Sequence, residues 1–583
     1  MTLDGIRDTI YRARIILTNK YDTKILIYFF MTVIGGILEM LSIGLLVPII
    51  YILSDSSGGQ FANYINEFFD QINLIDKKHQ LVFLIGVLTT VYFIKNIFLG
   101  YVNWIKANIT AHIIVNLSNS FFSRYVNKSI LYHTKKNSAT VIRDVLAESS
   151  QFAKGFIFGI LSLVFDFITL ISVFLVILFT DFQTAILISS FFLLISLFFG
   201  NYFRNILRKW AIQRQFNEKE RLKNFQESIG GIKEVKILGK VPLLVNRFSL
   251  FNKAIVLINR NITLLNIYPK LVIEFALVFF ISLILIYFLY LGYSFDKIML
   301  ILGILSVCSL RLMPVITKII NSINMLQYSK PSIDVLYKYF LDNEDEDYDN
   351  QNEEGKENIK FINSLKLENV SFSYDDKTKP AIKNINLNIN HSDIVGIVGP
   401  TGSGKSTIID LVLGLIKPLE GDIKVDDLSI IKNRSNWNKL IGYVPQNIFL
   451  SDNTIKNNIS LEFEDDKIDN KRIKDLLKIC NLENFVSSLP KKENTIIGEK
   501  GARLSGGQKQ RIGIARALYR DPSLLIFDEA TNALDFKNEQ EIMEKVLKEK
   551  KRTVIMITHR LETLKFCNYV YKIENGKLFK VEN

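Results

Sequence analysis

The chain has 583 residues, of which 49% are hydrophobic and 42 are Phe, and its formal net charge is +13 at pH 7. This length exceeds that of one compact domain, and the hydrophobic residues are concentrated before residue 325, where the composition shifts sharply. The cysteines Cys308, Cys480 and Cys567 lack metal-ligand spacing and lie in a predicted span or in cytoplasmic segments, so we expect neither zinc nor a disulfide.

The first half of the chain contains stretches long enough to cross a membrane. Crossing the hydrocarbon core takes roughly 20 mostly apolar residues. Six stretches qualify: 25–53, 81–101, 156–180, 182–203, 264–291 and 298–320. They are too long and too many for a soluble core, so we predict an α-helical membrane domain with six transmembrane helices over residues 1–325. The first stretch is too long for a signal-peptide core and is expected to stay in the membrane.

Basic residues predict the orientation of these spans. Segments 102–155 and 204–260 are rich in Lys and Arg, whereas the connections near 181 and at 292–297 are short and sparsely basic. The N-terminal run is also basic, with Arg7, Arg12, Arg14, Lys20 and Lys24. The positive-inside rule then places both termini in the cytoplasm. The net charge is mainly a topology signal, with attraction to anionic membrane lipids as a second contribution, so no nucleic-acid partner is expected.

Two segments outside the spans have distinct compositions. In the insert 54–80, apolar residues recur at near-helical spacing, which predicts an external amphipathic helix at about 60–75, although a plain surface loop with some helix explains the pattern equally well. The acidic stretch 342–357 has almost no apolar residues and is typical of a solvated linker. We therefore predict a linker over 326–364 and a second domain over 365–583.

Charged residues inside the predicted spans are costly and are therefore candidate functional residues: Glu39, Asp166, Lys270, Glu274 and Arg311. Lys270 and Glu274 are four residues apart on one predicted helix, so mutual neutralisation is an open alternative. Arg311 has no acidic residue three or four positions away, and a guanidinium suits phosphate oxygens. We expect Arg311 to face a water-filled cavity and an anionic substrate.

Residues 399–407 have the spacing of a phosphate-binding loop between an apolar strand at 393–398 and an amphipathic helix at 408–415. The loop consists of Gly399, Pro400, Thr401, Gly402, Ser403, Gly404, Lys405, Ser406 and Thr407. Its glycines let backbone N–H groups close around nucleotide phosphates at the positive end of a helix. Lys405 is expected to reach the β- and γ-phosphates, and the Ser406 hydroxyl to bind Mg²⁺. For this run alone, a glycine-rich turn remains the alternative.

Two adjacent acids supply further parts for phosphoryl transfer to water. Asp528 ends the apolar strand 524–528, where a carboxylate can hold the Mg²⁺ shell, and Glu529 follows it. Glu529 is placed to orient or deprotonate the attacking water. Since each motif supplies a different part of the chemistry, together they argue against a chance glycine-rich turn.

With these motifs in order, residues from about 365 to 580 resemble the nucleotide-binding domain of the ATP-binding cassette (ABC) superfamily. The resemblance assigns Tyr374 to adenine stacking, Gln446 to the link between Mg²⁺, water and the membrane domain, and His559 to the switch histidine. It implies an α/β P-loop domain that binds ATP and Mg²⁺, with Glu529, His559 and Gln446 as catalytic residues and Ser406, Gln446 and Asp528 as metal ligands. Asn532 to Asp535 resemble the D-loop, with Asn where the family usually has a smaller residue.

The run Leu504 to Gln508 resembles the family's signature loop, which closes over the phosphate loop of a second cassette. The resemblance implies that Ser505, Gly506, Gly507 and Gln508 contact the nucleotide of that second cassette. Since this chain has one cassette, we expect a homodimer with two composite ATP sites.

Membrane-domain segments carry a narrower resemblance. The runs 226–240, 268–274 and 309–314 are similar to segments of an exporter subgroup (type IV architecture) that includes lipid-linked oligosaccharide flippases of bacterial protein N-glycosylation. This resemblance implies a multi-pass protein of the bacterial plasma (inner) membrane that moves a polyprenyl-pyrophosphate-linked oligosaccharide to the outer leaflet. Basic side chains would replace the solvation of the pyrophosphate, and Arg311, Lys270 and Arg260 are the candidates.

Other functions fit the same architecture. An exporter of another lipid, a drug or a peptide would use a mostly apolar cavity, and a channel or regulatory ABC protein would use ATP only for gating. The intact Glu529 weighs against the gating alternative. We further expect cytoplasmic helices near 142–148 and 228–233 to transmit motion between cassettes and spans.

Overall fold

The computed structural model describes residues 3–17, 20–53, 67, 69–71, 76–180, 203–292, 295–341, 359–374, 380–530, 536–549 and 552–581. The chain divides into two compact units. The first comprises Met1–Val126 and Lys135–Glu344, and the second comprises Asn127–Thr134 and Asp345–Asn583. The predicted fusion of a helical membrane domain to an α/β domain is confirmed.

The described part of the first unit is α-helical. Its helices, together with α5, which begins in the second unit, are α1 (Leu3–Leu17), α2 (Asp22–Gly44), α3 (Leu46–Leu53), α4 (Lys77–Val126), α5 (Ile130–Lys135), α6 (Ser138–Ile142), α7 (Ser149–Gln151), α8 (Phe158–Thr180), α9 (Arg204–Gly230), α10 (Ile232–Ile237), α11 (Val241–Tyr290) and α12 (Phe295–Leu341). Two π-helical turns, Arg143–Glu148 and Phe152–Ile157, flank α7 and join α6 to α8.

Four helical runs of the described residues are long and apolar enough to cross a membrane: Asp22–Ile49, Lys77–Val126, Ser138–Val176 and Val241–Tyr290. They contain the predicted spans 25–53, 81–101, 156–180 and 264–291 within a few residues at their ends. The predicted span 182–203 lies outside the described residues except for Phe203. The predicted span 298–320 lies within α12. Four of the six spans are thus supported by length and composition, and the total of six stays a prediction.

Two boundaries of the first unit bear on the sequence predictions. α12 continues to Leu341, so residues 326–341 of the predicted linker are helical, while the predicted domain bounds stay a prediction. A polar linker sequence begins only after that helix ends. Most of the predicted external helix at 60–75 lies outside the described residues, and Glu67 and 69–71 are helical.

A buried polar cluster joins three helical segments of the first unit. The Glu148 carboxylate, which is fully buried, accepts hydrogen bonds from Arg214 Nη2 at 2.9 and 3.1 Å. Gln215 Nε2 and Ser332 Oγ donate to the same carboxylate at 2.7 and 2.5 Å. Arg214 and Gln215 belong to α9, and Ser332 belongs to α12. The Glu148 carboxylate therefore connects the π-helical turn Arg143–Glu148 to both helices by hydrogen bonds.

The second unit has two β-sheets. Its strands are β1 (Ser364–Phe372), β2 (Ile382–Asn390), β3 (Ile394–Val398), β4 (Glu420–Val425), β5 (Leu428–Ser429), β6 (Ile441–Val444), β7 (Leu524–Asp528), β8 (Thr553–Ile557), β9 (Tyr569–Glu574) and β10 (Lys577–Val581). The antiparallel sheet has the order β2-β1-β4-β5, and the larger sheet has the order β10-β9-β3-β8-β7-β6.

Helices cover these sheets. They are α13 (Lys405–Val412), α14 (Arg434–Asn438), α15 (Ile455–Ser460), α16 (Asn470–Ile479), α17 (Glu483–Ser487), α18 (Gly506–Tyr519), α19 (Phe536–Glu549) and α20 (Leu561–Leu564), with 3₁₀ turns at Asp465–Lys467, Lys492–Asn494 and Glu499–Gly501. The buried residues form two hydrophobic cores, one of which contains the fully buried Trp437.

The larger sheet determines where functional side chains lie. Strands β3, β8, β7 and β6 are neighbours and run parallel, so their carboxyl ends meet at one edge. The phosphate-loop sequence follows β3, Asp528 ends β7, and Gln446 and His559 come two residues after β6 and β8. Ligand sites of open α/β sheets form at this edge.

A short segment between α4 and α6 belongs to the second unit. It is Asn127–Thr134, and its Leu131 packs against the hydrophobic core of that unit. Within the expected transmitting helix at 142–148, Arg143–Glu148 is a π-helical turn with four buried residues, and its role in transmission stays a prediction. The expectation for 228–233 stays a prediction.

Candidate functional site

The phosphate-loop sequence adopts a glycine-dependent turn before α13. Gly404 caps that helix with a φ of 110°, which lies in the left-handed region, and an added Cβ would come within 2.8 Å of the Ala381 carbonyl oxygen. At Gly399 an added Cβ would lie 2.4 Å from the Ile573 carbonyl oxygen. Both positions therefore require glycine, and the N-terminus of a helix such as α13 favours an anion.

Side chains of the loop are held in defined positions. Lys405 is buried, and its Nζ donates to the carbonyl oxygens of Gly399 and Pro400 at 2.7 and 3.0 Å. Ser406 is exposed, so its hydroxyl is available to a ligand. The hydroxyls of Tyr374 and Thr407 are 3.1 Å apart, and the Tyr374 side chain is 48% exposed. The predicted adenine-stacking residue thus lies beside the loop.

Three predicted catalytic residues converge at the carboxyl ends of β6, β7 and β8. Gln446 Nε2 donates to Glu529 Oε2 at 2.8 Å, and His559 Nε2 is 3.3 Å from Glu529 Oε1. Glu529 has a φ of 49°, which is costly for a residue with a Cβ. Such backbone strain clusters at functional sites. Gln446 and His559 thus each lie beside a different oxygen of the Glu529 carboxylate.

Sequence reasoning missed two residues beside Asp528. The Tyr443 hydroxyl donates to Asp528 Oδ2 at 3.3 Å. Burial raises the pKa of the Asp528 carboxyl, and the hydrogen bond from Tyr443 opposes that shift. Burial, together with the charge of Asp528, also raises the pKa of Asp410 to about 6. The available sequence signal was the position of Tyr443 three residues before the predicted site residue Gln446.

The signature-like run begins α18. Ser505 caps this helix, since its Oγ accepts a hydrogen bond from the Gln508 backbone N–H at 3.3 Å, and the Ser505 N–H donates to Gln508 Oε1 at 2.9 Å. This reciprocal capping box fixes the helix start. Ser505 and Gly506 are exposed, whereas the Gln508 side chain is engaged in the cap. The predicted D-loop, 532–535, lies outside the described residues.

The candidate substrate residues lie in the first unit. Arg260 and Lys270 are exposed on α11, and Arg260 donates to the Asn261 side chain. Among the ion pairs of the described residues, none joins Lys270 to Glu274, so the neutralised pair considered above is not formed here. Arg311 belongs to α12, but its side chain lies outside the described residues.

The donor set at the edge of the sheet fits a triphosphate and its magnesium ion. Asp528 offers carboxylate oxygens and Ser406 a hydroxyl, both of which are oxygen donors suited to Mg²⁺. Gln446 donates to Glu529, which directly follows Asp528 in the chain. Among the described residues no cluster of three His, Cys, Asp or Glu side chains could hold a metal alone.

A helical membrane domain with such a nucleotide-binding domain defines an exporter-type architecture. Residues 25–308 match the ABC transporter transmembrane region, and residues 382–532 match the ABC transporter family. The two matches together cover most of the chain. This protein therefore belongs to the ABC transporter superfamily.

Individual relatives agree with this assignment. The chain is 28% identical over 501 residues to an ATP-dependent lipid A-core flippase of Wigglesworthia glossinidia brevipalpis, covering 83% of this chain and 82% of the relative. It is 42% identical over 224 residues to ABC transporter B family member 29 of Arabidopsis thaliana, covering 38% of this chain and 35% of that protein. The chain thus matches about a third of the length of the Arabidopsis relative.

A solved structure shows the same fold. A bacterial Atm1-family ABC exporter with ATP bound aligns with a TM-score of 0.73 at 20% identity, covering 96% of this chain and 94% of that one. The predicted fusion of a helical membrane domain to an α/β domain is therefore shared with this exporter.

Proposed function

We propose that this protein is an ATP-hydrolysing ABC transporter that moves an amphipathic substrate from the cytoplasmic to the outer leaflet of a bacterial plasma membrane. The observation that carries this proposal is the contact of Glu529 with both Gln446 and His559 beside Asp528. A gating protein that only bound ATP would not need a carboxylate held in this way.

The residues have separate roles in hydrolysis. Glu529 accepts a proton from the attacking water, and its two oxygens are oriented by Gln446 and His559. Lys405 and the backbone of the phosphate loop bind the phosphates, and Tyr374 stacks on the adenine. Asp528, Ser406 and Gln446 would hold Mg²⁺, which would neutralise part of the phosphate charge.

The complete ATP site requires a second copy of this chain. Ser505, Gly506 and Gly507 stand at the N-terminus of α18, where helix polarity favours an anion. We propose that they contact the nucleotide bound to the phosphate loop of the second copy, as the family resemblance implies. The protein is then a homodimer with two composite sites.

The proposed substrate is a polyprenyl-pyrophosphate-linked oligosaccharide. Arg311, Lys270 and Arg260 are the candidate residues for its pyrophosphate. Two observations support a phosphate-bearing lipid: basic residues recur within the predicted spans, and the relative matched over 82% of its length is named a lipid A-core flippase. An exporter of another lipid, a drug or a peptide is the alternative.

The test is ATP-dependent leaflet transfer in vesicles that contain the purified protein and a fluorescent polyprenyl-pyrophosphate oligosaccharide. Glu529→Gln serves as the blank because its amide cannot accept the proton. We expect transfer by the natural protein and none by the blank. ATP hydrolysis without transfer would overturn the proposed substrate and favour the alternative, whereas absence of hydrolysis would overturn the proposed activity.

A further inference from the structure

A buried carboxylate lies next to the segment of the second unit that carries His559. Glu539 stands in the first turn of α19 and is only 3% exposed. Its Oε2 accepts a hydrogen bond from Arg560 Nη1 at 2.6 Å, and its Oε1 accepts one from Thr563 Oγ1 at 2.7 Å. Arg560 directly follows His559, and Thr563 belongs to α20. The Glu539 carboxylate therefore connects α19 to the turn that joins β8 to α20.

That turn is short and places His559 between two residues with hydrogen bonds of their own. Thr558, His559 and Arg560 are the three residues between β8 and α20. The Arg560 backbone N–H donates to Thr558 Oγ1 at 3.0 Å, and the Arg560 side chain donates to Glu539. The His559 side chain is half exposed, and its Nε2 lies 3.3 Å from Glu529 Oε1. Hydrogen bonds thus hold the chain on both sides of His559.

Hydrophobic packing anchors the three elements that carry these groups. Met543 and Val546 of α19 and Met556 of β8 are buried in one hydrophobic core, and Leu564 of α20 packs against that core. A functional side chain is held precisely when the residues that support it are themselves fixed by packing and hydrogen bonds. The hydrogen bonds of Glu539 therefore act between elements whose backbones the core already holds.

We propose that Glu539 is a positioning residue for ATP hydrolysis, which acts through Arg560 and Thr563 to hold His559 beside the Glu529 carboxylate. Because Glu539 is buried, it is not available to ATP or to the attacking water, and it acts on geometry alone. This inference rests on the proposed function, because it takes His559 as a residue that orients Glu529.

Burial distinguishes this role from a general contribution of Glu539 to helix stability. Helix polarity favours a carboxylate in the first turn even when that carboxylate is exposed to water. Burying a charge is costly unless charged and polar partners replace its hydration. Arg560 supplies the opposite charge and Thr563 a second donor, and both come from the segment that follows His559. The partners of Glu539 therefore tie its charge to this segment, whereas helix polarity alone would require neither of them.

Two substitutions weaken these contacts to different degrees. Glu539→Gln keeps the side-chain shape but removes the charge that Arg560 pairs with, and it leaves one oxygen acceptor for two donors. We expect kcat for ATP hydrolysis to fall by about tenfold, since a displacement of about 1 Å at a catalytic site can cost about a hundredfold. Thr563→Val removes one donor with little change in volume and should lower kcat by a few-fold. The Kd of a non-hydrolysable ATP analogue should stay unchanged in both variants.

The test is a double-mutant cycle on the full chain in nanodiscs, with phosphate release as the measured rate. It compares the natural protein, Glu539→Gln, His559→Ala and the double variant. If Glu539 acts through His559, the double variant should hydrolyse ATP as fast as His559→Ala alone. A carboxylate that only supported the fold would slow both backgrounds by the same factor. Glu541→Gln is the matched control and should leave kcat unchanged, because Glu541 is exposed on the same helix and glutamine still accepts from Asn481.

Three outcomes would overturn the inference. They are an unchanged kcat in Glu539→Gln, an equal slowing by this substitution with and without His559, and a loss of affinity for the ATP analogue that accounts for the slower turnover. If Glu539→Gln does not fold, Thr563→Val takes its place in the cycle under the same criteria.

The same cycle separates this inference from the proposed function. If His559→Ala is slow while Glu539→Gln hydrolyses ATP at the natural rate, the positioning role fails and the proposed role of His559 stands. If His559→Ala hydrolyses ATP at the natural rate, the proposed role of His559 fails and the positioning role fails with it.

Discussion

Replacing Glu148 by alanine removes the acceptor that joins three helical segments of the membrane unit. Arg214 loses two hydrogen bonds to that carboxylate, and Gln215 and Ser332 lose one each. The Arg214 side chain is only 10% exposed, so water cannot replace the missing partner. The variant is left with a buried, uncompensated positive charge.

The expected cost follows from this burial. Removing one partner of a buried ion pair typically costs about 3–5 kcal/mol, mostly because the remaining charge is desolvated. We therefore expect Glu148→Ala to unfold several degrees below the natural protein in a thermal melt of the full chain in nanodiscs. Glu227→Ala on α9 is the matched control, because Glu227 is half exposed and 3.9 Å from Lys223. An exposed pair contributes only about 0–1 kcal/mol.

A double variant separates the lost charge balance from lost packing. Glu148→Leu with Arg214→Met removes both charges and fills similar volume, so it should regain much of the melting temperature lost in Glu148→Ala. Equal melting temperatures of Glu148→Ala and Glu227→Ala would show that the Glu148 carboxylate does not stabilise the packing of these helices. A double variant less stable than Glu148→Ala would refute the charge argument.

The cassette supports three further predictions. Glu529→Gln should retain ATP binding but slow hydrolysis by about 10²- to 10⁴-fold, and unchanged phosphate release would remove Glu529 from the role of base. Tyr443→Phe should raise, by a few-fold, the Mn²⁺ concentration needed for binding to the ATP-bound protein, because Asp528 loses a hydrogen-bond donor. Electron paramagnetic resonance follows the bound Mn²⁺, and an unchanged titration would show that this contact does not contribute to metal binding. Asp410 has a raised pKa of about 6, so the folded state binds its proton more tightly than the unfolded chain, and this contribution to stability falls as pH rises from about 4 to about 6. Asp410→Asn should lack that fall in thermal melts across this range, and a parallel pH profile would exclude the Asp410 carboxyl as its cause.

Much of the nucleotide site could be predicted because its chemistry depends on residues that are close in sequence. A phosphate loop requires glycines and a lysine within one turn, so Gly404 and Lys405 were identifiable without a structure. Membrane spans are equally local, since crossing the bilayer depends on the length and hydropathy of one segment. Four predicted spans accordingly lie in helices of suitable length and composition.

Contacts between distant segments were decided only by the tertiary structure. Tyr443 donates to Asp528 because β6 and β7 are parallel neighbours, although 85 positions separate the two residues. Likewise, Leu131 packs on the core of the second unit, which local sequence did not indicate. Composition likewise did not indicate that α12 continues to Leu341.

The sequence by itself determined which chemical groups this protein carries and their order along the chain. It identified Asp166 as a costly intramembrane charge but supplied no partner for it. Only the packing of three helices brought Asp166 near Lys106 and Lys318, which are 60 and 152 positions away in sequence. Electrostatic interaction depends on distance in space, and long-range packing sets that distance.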